Sequence, residues 1–115
     1  MNTKKIIIVE ADPQFRNLLK LLSEQNFPEM EILTFRSGVE GLEAFHLNEE
    51  DVALIITGNN MSVMSGAELA EKVKAVNPKL PILLLGAIEP KEHKADQFLP
   101  KTSGLEIFAV AKTFL

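Results

Sequence analysis

Glu10 and Lys101 are a carboxylate and an ammonium group near opposite ends of the chain, and each follows a short run of apolar residues. Gly58 and Gly86 close two further apolar runs between them. If the runs are strands of one open parallel sheet, these positions meet, because such sheets bind ligands beyond the carboxyl ends of their central strands. The residues at issue are Glu10, Ala11 and Asp12 after the first run, Gly58 to Met61 after the third, Gly86 after the fourth and Lys101 after the fifth. A carboxylate facing an ammonium can help hold an ion, or it can form an ion pair that neutralises two part-buried charges. The ion pair is the favoured reading of Glu10 and Lys101. Gly58 and Gly86 read first as turn residues. A second reading makes them the open floor of a hollow whose N–H groups hold an anion. Asp12 stands directly before Pro13, which suits a helix cap better than a metal ligand. No GxxxxGK[ST] or GxGxxG string occurs, so nucleotide binding has no motif behind it. His46 and His93 lack metal-ligand spacing and are expected at the solvent surface.

The elements that must position these residues follow from apolar periodicity. Lys4 to Val9, Val52 to Thr57 and Pro81 to Leu85 are short continuous apolar runs, as expected of strands buried on both faces. Met30 to Phe35 and Gln97 to Leu99 are weaker strands. Phe15, Leu18, Leu19 and Leu22 recur at helical spacing after the Asp12-Pro13 cap, and Asn26-Phe27-Pro28 stops that helix. Ser37-Gly38 opens a second helix, through Leu47. Ser65 with Glu68 predicts a capping box and a third, through Val76. Glu89 to Lys94 is polar and short, enough for one or two helical turns, and Ser103 starts a final helix through Phe114. Strand and helix alternate five times, which predicts a doubly wound parallel sheet with helices on both faces.

The composition narrows the function classes. One chain of 115 residues makes one domain, and 46% hydrophobic with 24% charged residues is the balance of a globular protein. Cysteine is absent, which excludes disulfides and thiolate metal sites. Tryptophan and tyrosine are absent too, which argues against a surface for stacking bases or sugars. The net charge of −4 disfavours nucleic acid as a direct partner. No apolar run approaches a membrane span, and the N-terminus lacks the plan of a signal peptide, so a cytoplasmic location is expected. The acidic run Glu49-Glu50-Asp51 reads as a solvated loop.

Four segments together resemble the receiver domains of response regulators. They are Ile6 to Pro13, Leu54 to Gly66, Pro81 to Ala87 and Ala95 to Lys101, in the family's order and at nearly its spacings. The resemblance implies a CheY-like, flavodoxin-like α/β fold with a shortened fourth helix. It also places the family's phosphorylation pocket at Glu10, Ala11, Gly58, Asn60, Gly86 and Lys101. Two acidic residues stand after strand one in the family, and here they are Glu10 and Ala11. The phosphoryl acceptor, an aspartate, is replaced by Gly58, and the serine or threonine of strand four by Gly86. The lysine is kept as Lys101, whereas the prolines matching Ser62 and Thr102 are not. Asn60 falls where the family lends a backbone carbonyl to the metal.

Those departures set the functional expectation. A glycine offers no nucleophilic oxygen, and Mg²⁺ needs an oxygen-rich shell, of which Glu10 is the one side-chain carboxylate left. The expectation is a pseudo-receiver in two-component or phosphorelay signalling, a protein-interaction module and not an enzyme, with no resident cofactor and at most weak Mg²⁺ binding. Its partner would be a sensor kinase or an output protein, with neither nucleic acid nor membrane bound directly and a homodimer left open. The resemblance puts the interaction face at Pro90, His93, Phe98, Glu106 and Ile107. Two rival readings are an atypical receiver phosphorylated on Glu10 or Asp12, and a flavodoxin-like binder of a small ligand.

Overall fold

A computed structural model describes residues 3–101 and 104–115. The apolar runs become β1 (Lys5–Val9), β3 (Val52–Gly58) and β4 (Ile82–Gly86), and the weaker ones β2 (Glu31–Phe35) and β5 (Gln97–Pro100). All pairings are parallel, in the order β2-β1-β3-β4-β5. The helices are α1 (Pro13–Asn26), α2 (Gly38–Leu47), α3 (Gly66–Val76) and α4 (Gly104–Thr113). Alternation along each strand feeds two cores. Ile6, Ile8, Leu54, Ile56, Leu83 and Leu85 pack with Leu19 of α1 and with Ile107, Phe108 and Ala111 of α4. Ile7, Val9, Ile55 and Ile82 pack on the other face, with Phe45 of α2 and with Leu69 and Val73 of α3. Both faces of the central strands are therefore dry, which is why their sequences run apolar without alternation.

The helix starts follow their capping residues. Asp12 accepts a hydrogen bond from the Gln14 N–H at 3.0 Å, with Pro13 opening α1. Ser65 and Glu68 form the capping box of α3. Gly66 lets that helix start press on β3, since a Cβ there would strike the Gly58 carbonyl oxygen and the Leu84 side chain. The expected start at Ser103 lies outside the described residues.

One expected element is missing: residues 87–96 form bends and irregular chain, with no fourth helix between β4 and β5, not even a short one. Pro90 removes a donor and disfavours helix at Glu89. Ile88, 82% exposed, and Ala95, packed at the core margin, are the only apolar side chains besides Ala87 and Pro90, too few for a buried helical face. The segment is instead tied down by Asp96. Its carboxylate accepts from the Ile82 N–H at 2.8 Å and from Lys74 at 2.7 Å, and Lys74 also donates to the Leu80 carbonyl at 2.6 Å. Asp96→Ala strips a strand N–H of its acceptor and a largely covered ammonium of its counter-ion, leaving Lys74 its carbonyl partners. We expect a loss of roughly 1–3 kcal/mol, read by urea denaturation. No helix among the described residues is long and apolar enough to cross a membrane.

Candidate functional site

Glu10 directly follows β1 with 1% of its surface exposed, placed there by the fully buried Val9 before it. Its N–H donates to the Phe35 carbonyl at 2.9 Å, continuing the ladder with β2. Arg16, one turn into α1, donates to the Glu10 carbonyl at 2.7 Å. The side-chain oxygens are both taken: Oε2 accepts from the Asp12 N–H at 2.8 Å, and Oε1 lies 2.7 Å from the Lys101 ammonium. The ammonium makes that approach without the directionality of a hydrogen bond, so charge attraction holds Oε1. Lys101, at the end of β5, keeps 30% of its side chain in solvent and sets its ammonium 5.3 Å from the centre of the Phe15 ring. The expected ion pair forms.

The two glycines differ physically. A Cβ built on Gly58 would run into Glu10 Oε1 and stand 3.6 Å from Lys101 Nζ. The glutamate carboxylate thus fills the volume from which any side chain at position 58 would start, and it does so beside the lysine. Position 58 is closed from above. At Gly86 a Cβ would meet the Phe98 ring at 3.4 Å and Asn59 Cβ at 3.6 Å, which is ordinary contact. A side chain at 58 would therefore have to displace the Glu10 carboxylate, whereas one at 86 displaces nothing.

The rest of the pocket offers little chemistry. Ala11 is exposed and has no donor or acceptor beyond its backbone. Asn60 is exposed, whereas the preceding Asn59 organises the loop. Asn59 donates from its backbone to Leu85 at 2.8 Å, its carbonyl accepts from Gly66 at 3.1 Å, and its side-chain oxygen accepts from Ala67 at 3.0 Å. The sequence places Asn59 in the loop from Gly58 to Met61 but gives it no role, because its partners lie in β4 and eight residues further along, where no local motif points. The residues do not fit Mg²⁺: both oxygens of Glu10 are engaged, and Ala11 and Gly58 bring no carboxylate. Among the described residues no three His, Asp or Glu side chains converge as metal ligands.

The expected interaction face needs two corrections. Ile107 is fully buried in the core, so it cannot contact a partner. With α4 in its observed phase, 107, 108 and 111 turn inward, and Leu105 and Glu106 face out. His93 is not a surface histidine: 12% of its side chain is exposed, Nε2 lies 2.8 Å from Glu89, and Nδ1 is buried with no hydrogen-bond partner among the described residues. Pro90 and Phe98 are half-buried, the latter packed over Gly86. In place of the absent helix lies an open cleft of about 490 Å³, lined by Ala67, Glu68 and Glu71 of α3 and by residues 91–94.

The order β2-β1-β3-β4-β5 brings an acid after β1 and a lysine after β5 together at one end of the sheet. Residues 6–105 match the model of the response regulator receiver domain. The chain belongs to that family. The receiver is 36% identical over 83 residues to the transcriptional regulatory protein GlrR of Escherichia coli, a match covering 71% of this chain and 18% of that protein. It superposes on the response regulator TrrA of Thermotoga maritima, solved with Mg²⁺ and BeF, with a TM-score of 0.80 at 28% identity, covering 98% of this chain and 100% of that one. TrrA has also been solved in complex with the histidine kinase ThkA, where the TM-score is 0.83 at 27% identity and coverage is 98% and 99%. A receiver domain from Clostridium thermocellum gives a TM-score of 0.83 at 24% identity, over 96% and 91% of the two chains, and supports the fold. The chain is a receiver domain of two-component signalling.

Proposed function

We propose that this receiver works without aspartyl phosphate at the end of β3, as a protein-interaction module whose output is fixed by its conformation or by its partner. The observation that carries this reading is the carboxylate of Glu10 seated over Gly58 and held by Lys101. Position 58 lacks a nucleophile, and the lysine that would meet a phosphoryl group is already neutralised. Gly86 brings no hydroxyl to a phosphoryl oxygen, and the metal donors are incomplete. The domain then has neither acceptor nor switch, and what remains for selection to keep is surface. Similarity to TrrA, which was solved bound to a histidine kinase, favours a signalling protein as the partner class.

The test is incubation with acetyl phosphate and Mg²⁺ followed by intact-mass measurement. The expected spectrum holds the unmodified chain alone. A stoichiometric gain of one phosphoryl group would overturn the reading. If Glu10→Gln or Asp12→Asn then abolished that gain, the acceptor would be the substituted carboxylate.

A further inference from the structure

The β2 edge of the sheet carries a feature that the phosphorylation pocket does not explain. Because the Glu31 N–H donates to the Lys4 carbonyl and the Phe35 carbonyl accepts from Glu10, residues 31, 33 and 35 direct their backbone groups to β1. Ile32 and Thr34 therefore aim their N–H and C=O outward, and among the described residues no protein group meets them. Beside this edge runs an apolar groove of about 300 Å³ between β2 and α2, formed by Leu33, Phe35, Ala44 and Leu47 with Glu40 and Glu43 on its rim. Leu47 is 78% exposed. Edge strands are usually blunted against pairing, yet here an apolar slot lies along the open edge.

Charge tells what fits. Residues 29–51 hold seven carboxylates and one arginine, a net of −6, while the remainder of the chain is +2. Lys5, Arg36 and His46 pair with Glu31, Glu40 and Glu49, and Glu43 on the groove has no ion pair among the described residues. We infer that the β2 edge is a docking site for an extended, basic segment of a partner protein, which adds as a sixth strand on Ile32 and Thr34. One face of that segment sets an apolar side chain against Leu33, Phe35 and Leu47, and its lysines or arginines meet Glu43 and its neighbours. A second copy of this chain would bring the same acidic stretch, Glu43 of the groove included, against itself, so like charges oppose self-pairing. A nucleic acid is repelled for the same reason.

The proposal goes beyond the reading of the pocket and stands whether or not the chain takes up phosphate. It is tested by titrating the isotope-labelled receiver with a short peptide of alternating lysine and valine, with amide exchange as the readout. The Ile32 and Thr34 amides should slow by about tenfold or more on binding, and added salt should weaken the complex. Thr34→Pro removes an outward donor without touching the ladder to β1 and should weaken binding about tenfold. Leu47→Ser, on the surface of α2, should weaken it severalfold. Binding that leaves both amides unprotected would overturn the proposal, as would equal affinity for a glutamate–valine peptide or for the Thr34→Pro variant. Protection of the same amides by self-association, without peptide, would give the edge to a second copy and overturn it too.

Discussion

Lys101→Ala lowers the unfolding free energy by about 3 kcal/mol in urea titration, at the low end of the range for breaking a buried ion pair by removing one partner. The size follows from what is left behind. Glu10 has 1% of its surface exposed, and Lys101 supplies the one cation within ion-pair distance of its carboxylate among the described residues. Without that cation Oε1 has no partner, and the Asp12 N–H bond to Oε2 is the carboxylate's remaining contact. The effect stays at the low end because 30% of the Lys101 side chain is in solvent, so its removal admits water. Neutralising both sides should restore most of the loss: Glu10→Gln combined with Lys101→Met leaves no buried charge, and similar swaps elsewhere are often neutral. A double variant as unstable as Lys101→Ala alone would show that the pair is not what stabilises this corner.

The fold was legible wherever one residue type has one local consequence. The apolar runs of β1, β3 and β4 are buried on both faces because they are central in a parallel sheet, and their sequences say so. Asp12-Pro13 and Ser65 with Glu68 cap helices by contacts two or three residues away. Segment 87–96 was harder, since its polar sequence with Pro90 can be read as a poor helix or as none, and the Asp96 tether to Lys74 and Ile82 decides for none. Ile107 was misread because the phase of a helix depends on how it docks, and a family position carries no phase. The pairing of Glu10 with Lys101 could be foreseen from charge and strand order. That Glu10 also fills the space over Gly58 could not, because the fit depends on the length of one side chain and the absence of another 48 positions away.

Gly58→Asp should install an aspartate where the family has its acceptor and yet destabilise the receiver by about 3–4 kcal/mol without making it accept phosphate. The new Cβ meets Glu10 Oε1 at once, so the glutamate must leave its place or the backbone must yield. Two carboxylates would then compete for the single ammonium of Lys101, and like charges that close disfavour joint ionisation. Shortening the first acid relieves both problems. Glu10→Asp withdraws its carboxylate by one methylene and opens the volume over position 58, leaving Lys101 free to turn to the new side chain. The paired variant Gly58→Asp with Glu10→Asp should therefore be more stable than the sum of its single changes by about 1–3 kcal/mol, in the upper part of the range of about 0.5–3 kcal/mol found for residues in direct contact. A double-mutant cycle by urea denaturation measures that coupling. Additivity within about 0.5 kcal/mol would mean that the two positions do not share one space. Coupling of the expected sign ties the loss of the acceptor to the presence of the glutamate: Gly58 and Glu10 make one substitution for the family's aspartate, in which the carboxylate that meets the lysine comes from β1 instead of β3.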